Sequence, residues 1–184
     1  MRSVYLAGPE VFLTDAMEIG RMKKEICRRH GLLGLFPFDN EAVAVEGGPA
    51  LDVIIYRGNV AMMRQADFGV FNLTPFRGPG ADGGTCFELG FMTALGKPCV
   101  GYSNDGASYI ERVRLAGPLT QADDGCWRDA VGLLVEDFDN ADNLMLDCSI
   151  EEGGRQIFRR PSSNTPALSD LSAFEACVAA LAGT

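Results

Sequence analysis

The chain has 184 residues, a length that suits one domain with a core of its own. Hydrophobic residues make up 47% and charged residues 22%, and no apolar run is long enough to cross a membrane. A net charge of −9 argues against a surface built to hold a nucleic-acid polymer.

In chain order, residues 2–6 (RSVYL) read as a short apolar strand, followed by the loop AGPEVFL. Residues 14–30 read as a helix: Asp15 and Glu18 predict a capping box, Ile19, Met22 and Ile26 share a face, and Gly31 is a natural stop. GLLGLF (31–36) is a second strand, ended by Pro37. A polar loop leads into a helix near 51–66, with Ile54, Ile55 and Met62 as core residues. DFGVFNL (67–73) is a third strand, TPFRGPGADGG a loop, 84–95 a helix ending at Gly96, and PCVGY (98–102) a fourth strand. This alternation predicts one α/β domain: a parallel, flavodoxin- or Rossmann-like sheet of four or five strands with helices on both faces. Ligands of such sheets sit at the carboxyl ends of the strands, here the loops near Gly8, Pro37, Thr74 and Ser103. Beyond residue 104 the pattern weakens. GLLVEDF (132–138) reads as strand or helix, NADNLMLDC as the start of a short helix, and 151–168 as a surface excursion. Residues 169–182 read as a terminal helix with Leu171, Phe174, Val178 and Leu181 on one stripe.

Six cysteines show no C-x-x-C pair, and no secretory leader is expected ahead of the first strand, so reduced thiols in the cytoplasm are the expectation. His30, the single histidine, follows a basic run at a helix end, which leaves little room for a histidine triad or a histidine-rich metal site.

The stretch RGPGADGGTCFELG (77–90) carries a G-x-G-x-x-G that resembles a phosphate loop. It follows the third strand rather than the first and begins several residues after that strand ends. Pro79 removes an N–H, Asp82 puts a negative charge where a phosphate would bind, and no Lys-Ser/Thr follows. The two carboxylates offer another chemistry. From an early turn of the helix, Glu88 leans back over Gly84 and Thr85 toward Asp82, the glycine leaves room for a ligand, and the helix dipole favours an ionised Glu88. A carboxylate beside a second carboxyl group is equipment for retaining glycosyl transfer. Asp82 also reads as a plain N-cap, and Glu88 as a solvated helix residue.

Four stretches, VYLAGPEVF (4–12), LFPFDNE (35–41), ADFGVFNLTPFRGPGADGGTCFELGFMTALGKP (66–98) and DNLML (142–146), together resemble the nucleoside 2-deoxyribosyltransferase family. The resemblance implies exchange of the base of a 2′-deoxynucleoside, with retention, through a covalent deoxyribosyl-enzyme. By it, Glu88 matches the nucleophile, Asp82 the carboxylate that binds the sugar, Asp67 the aspartate linked to proton transfer at the base, and Tyr5 the tyrosine that orients the nucleophile. Gly8, Phe12 and the loop Asp39, Asn40 and Glu41 match the substrate pocket. Asn143 and Met145 match residues that reach a neighbouring subunit's site, which implies a homo-oligomer, a dimer or a hexamer. No metal or organic cofactor is implied; the expected partners are deoxynucleosides and free bases. The chain runs past the point where the smallest members of that family end, so no role is carried over to its terminal carboxylate.

Two other readings compete. One is hydrolysis of a deoxynucleoside or its 5′-monophosphate on the same fold, against which Glu10 in the first loop is expected to repel a phosphate. The other is a non-catalytic nucleotide-binding module using the glycine loop.

Overall fold

A computed structural model describes residues 1–40, 43, 46–160 and 168–183. Its centre is a parallel sheet of β1 (Ser3–Ala7), β2 (Leu33–Leu35), β3 (Phe68–Asn72), β4 (Cys99–Ser103) and β8 (Ile157–Arg159), in the order β2-β1-β3-β4-β8. Every residue of β1, β3 and β4 is buried, as strands covered on both faces require. Register places Tyr5 beside Gly69 on one side and Leu35 on the other.

The alternation of side chains along β1 separates two cores. Val4 and Leu6 point to the face covered by α1 (Ala16–Arg29) and α6 (Ser172–Ala182), where Ile26, Phe174, Val178 and Leu181 pack. Tyr5 and Ala7 point to the opposite face, which meets Met63 of α2 (Leu51–Gln65), Leu89 and Met92 of α3 (Gly83–Ala94), and Leu146 and Ile150 of α5 (Leu144–Glu151). Gly31 and Gly96 end α1 and α3 with φ of 74° and 69°, the left-handed geometry a glycine takes without strain.

Four expectations are corrected. Asp15 begins α1 but forms no side-chain cap, because Glu18 turns outward to Arg21 instead. Residues 157–159, expected within a surface excursion, form the fifth strand, with Gly101 opposite Ile157. A helix that the sequence reading passed over, α4 (Tyr109–Ala116), starts with a Ser108–Glu111 capping box. Ile55, expected in the core, is 42% exposed, and Met63 takes the buried position. The ambiguous 132–138 stretch contributes β7 (Leu134–Val135) to a small antiparallel sheet with β5 (Thr120–Gln121) and β6 (Trp127–Arg128). Among the described residues no helix is long and apolar enough to cross a membrane.

Candidate active site

In the observed strand order, the chain leaves β1 toward β2 on one side and continues from β3 toward β4 on the other. The loops after β1 and β3 therefore diverge and open a crevice between them, where ligands of doubly wound sheets bind. A cavity of about 600 Å³ occupies that place, a size suited to a small molecule. The loop after β1 lines it with Gly8, Val11 and Phe12, and the turn after β2 with Phe38 and Asn40. Helix α2 supplies Leu51, Ile55 and Asn59, and α3 supplies Gly84 and Glu88.

Glu88 is the only ionisable side chain among those described residues that line the cavity. It stands in the second turn of α3, and the Tyr5 hydroxyl donates to its Oε1 at 2.5 Å. Tyr5 itself is fully buried in the centre of the sheet, so this bond fixes the carboxylate against the most rigid part of the fold. Burial pushes the Glu88 carboxyl up to about 7; the Tyr5 hydrogen bond draws it down and the charge of Asp82 raises it again. Burial thus works against the ionised form that the helix dipole was expected to favour. The Tyr5 hydroxyl is in turn held far above its ordinary value by burial and by the negative charge it faces, so it remains a donor.

Asp82 is the N-cap of α3: its Oδ2 accepts from the Thr85 amide at 2.9 Å and from the Thr85 hydroxyl at 3.1 Å. The cap spends one carboxylate oxygen. The glycine-rich loop before it is braced from outside by two residues that sequence reasoning missed. Arg112 of α4, 4% exposed, donates to the carbonyls of Pro79, Ala107 and Ala141 and pairs with buried Asp142, while Asp142 accepts from the Ala81 amide at 2.9 Å. Arg77 adopts a positive φ of 56° and lays its guanidinium over the rings of Phe12 and Phe76, which stack at 5.1 Å.

The floor beneath Gly8 is a buried polar network. Lys23 of α1 reaches Glu10 Oε1 at 2.5 Å, and Tyr102 and Asn72 donate to the same oxygen. A Cβ at Gly8 would lie 2.0 Å from Glu10 Oε2, so only bare backbone fits there. Glu10 is wholly buried and neutralised by Lys23, and does not line the cavity. Its charge gives no reason to exclude a phosphate, and that expectation is withdrawn.

Of the expected site residues, the structure brings Gly8, Phe12, Asn40, Gly84 and Glu88 to the cavity wall, with Tyr5 behind Glu88 and Asp82 near it. Asp67 is not brought there. It precedes β3 at the amino edge of the sheet, exposed, where its Oδ2 accepts from the amide and hydroxyl of Ser3. Asp39 turns away to Lys24 and the Phe36 amide. Glu41 lies outside the described residues. Asn143 caps α5 and donates to Glu136, Met145 is 69% exposed, and neither lines this chain's cavity. Asn59 was not foreseen; its position four residues beyond Ile55 on α2 was the available signal. Among the described residues no group of three or more His, Cys, Asp or Glu side chains is arranged to hold a metal.

Comparisons with known proteins identify the family and the fold. The family model for nucleoside 2-deoxyribosyltransferase matches residues 4–145. An uncharacterized protein of Schizosaccharomyces pombe is 36% identical over 164 residues, covering 82% of this chain and 78% of that one. A 2-desoxiribosyltransferase from Leishmania mexicana shares 28% identity and superposes with a TM-score of 0.66 over 97% of both chains. A conserved protein from Enterococcus faecalis V583 shares the fold, with a TM-score of 0.55 at 20% identity over 87% of this chain and 92% of that one. With Glu88 and Tyr5 joined at the crevice and most of the chain matched, the protein belongs to the nucleoside 2-deoxyribosyltransferase family.

Proposed function

We propose that the protein transfers 2-deoxyribose between nucleobases by a retaining double displacement through Glu88. The observation that carries this reading is the hydrogen bond from Tyr5 to Glu88 at the wall of a small-molecule cavity. In the first step a Glu88 carboxylate oxygen bonds to C1′ of the sugar from the face opposite the base. The C1′–N bond breaks, the base departs with its electron pair, and a proton from water restores its neutral form. In the second step a nitrogen of the incoming base displaces Glu88 from C1′, losing its proton, so the original configuration returns. Burial that raises the Glu88 carboxyl also makes its ionised form a stronger nucleophile, and Tyr5 holds one oxygen so that the other points at C1′. The Asp82 oxygen not used by the helix cap accepts from a sugar hydroxyl. Gly84 lines the cavity without a side chain, and a Cβ there would crowd the cap oxygen of Asp82 at 3.1 Å.

Asn143 and Met145 complete a neighbouring copy's cavity in this reading. Support comes from the 69% exposure of Met145 and from the exposed Tyr56 and Phe87 rings, which pair at 6.2 Å outside the core. The test is incubation of the purified protein with deoxyinosine and adenine. Deoxyadenosine, without matching free deoxyribose, is expected, and Glu88→Ala should abolish it while the fold persists. Free deoxyribose as the sole sugar product would replace transfer by hydrolysis.

A further inference from the structure

Helix α2 presents Leu51, Ile55 and Asn59 to the cavity at spacings of four residues, one stripe of one helix face. Leu51 and Ile55 are 46% and 42% exposed, Asn59 is half-buried, and Met63, next along the stripe, is 1% exposed. The stripe therefore descends from the mouth to the floor, and Asn59 is its deepest cavity residue. Below it, Met63 packs in the same cluster as Tyr5, the residue that holds Glu88, and Asn59 and Glu88 line the same cavity.

The amide of Asn59 is unspent. Its Oδ1 is buried without a hydrogen-bond partner, no described residue takes a hydrogen bond from its Nδ2, and a half-turn of the carboxamide exchanges the two atoms, so its N–H end can face a ligand. Native folds rarely leave a buried carboxamide unused, and in an apolar wall a lone polar group sets orientation. A ring held with C1′ over Glu88 brings the atoms next to its glycosidic nitrogen to the same floor.

We infer that Asn59 holds the departing and the incoming base, its amide N–H donating to the ring acceptor beside the glycosidic nitrogen: N3 of a purine or O2 of a pyrimidine. The assignment rests on the transferase reading above. As the C1′–N bond breaks, the electron pair left on the base spreads onto that acceptor, and the donor at that point opposes the developing charge. Asn59 transfers no proton. Its contact strengthens as the bond breaks and is formed again by the acceptor base on the return step.

The experiment compares wild type with Asn59→Leu and Asn59→Ala on three donors: 2′-deoxyadenosine, its 3-deaza analogue and its 7-deaza analogue, with hypoxanthine as acceptor. Each variant should lose roughly tenfold in kcat/KM on deoxyadenosine and on the 7-deaza donor, the weight of one neutral hydrogen bond. Neither should lose further on the 3-deaza donor, which lacks the acceptor. The acid limb of the pH profile should stay in place, because Asn59 does not titrate. Equal losses on all three donors, or a loss confined to donors that retain N7, overturn the assignment and leave the transferase reading intact. If wild type cleaves no donor, the transferase reading itself fails and the assignment with it. The Ala variant keeps the test decisive if Leu cannot be housed.

Discussion

Replacing Glu88 by glutamine tests the electrostatics of the site without needing a substrate. The carboxyl rises from an ordinary 4.5 to about 7, and burial is the largest cause. A group whose folded value lies above its unfolded value adds stability below the unfolded value and loses it as pH climbs through the folded one. The contribution of Glu88 is thus fully present below about pH 4.5 and gone above about pH 7 to 8. At pH 8.5 the ionised side chain costs the fold about 3 kcal/mol, at 1.36 kcal/mol for each pH unit between the two values. Glutamine keeps the shape and an oxygen for the Tyr5 hydroxyl but carries no charge. Glu88→Gln should therefore be about 3 kcal/mol more stable than wild type at pH 8.5, and less than about 1 kcal/mol apart at pH 5. Urea unfolding followed by far-ultraviolet circular dichroism at both pH values measures this. A stability gap that does not change with pH would refute the reasoning, because a group in solvent would titrate alike in both states.

The same titration should appear in catalysis: kcat/KM for deoxyinosine rises with pH to a plateau above about 7, as Glu88 becomes the carboxylate that attacks. Tyr5→Phe removes the hydrogen bond that lowers the Glu88 carboxyl, so the acid limb should move to higher pH with a roughly 10- to 100-fold loss of kcat/KM. An unmoved limb would show that the hydroxyl does not act on Glu88. Lys23→Met strands Glu10 in the core and should cost about 3–5 kcal/mol by urea unfolding, much of it regained by adding Glu10→Gln; the idea fails if the double variant is no more stable than the single one. Asp67→Asn, far from the cavity, should change transfer less than about twofold. A larger loss would return Asp67 to the site.

What could be read from the sequence follows from the range of the forces involved. The first four strands of the sheet and the helices between them were legible because each carries its own periodicity and stop signal, as at Gly31 and Gly96. Strand β8 was not, because three residues carry no period and its identity comes only from pairing with β4. Helix α4 was missed although Ser108 and Glu111 spell its capping box. At the site, the position of Glu88 followed from the helix that carries it. Its protonation balance did not, because it depends on burial in the folded chain and on the hydroxyl of Tyr5, which is distant in sequence. Asp67 looked close to the chemistry by motif, but the strand it precedes carries it to the other end of the sheet. Arg112 carries no motif, and Asp142 opens the DNLML stretch without a role attached to it; their meaning arises where α4 and the segment before α5 meet the glycine loop.

The two sides of the cavity differ in how much change they tolerate. On one side, Gly8 is pinned over Glu10, and Glu88 is tied to a tyrosine inside the sheet, so nearly any exchange there disturbs the fold or the reaction. On the other, Leu51 and Ile55 stand half in solvent on a single helix, with their side chains outside both core clusters. On the transferase reading, selection can therefore retune which bases are accepted by editing one exposed helical face, while the bond-making apparatus is inherited unaltered. A library randomised at positions 51 and 55 should be rich in folded, active members whose preferences differ.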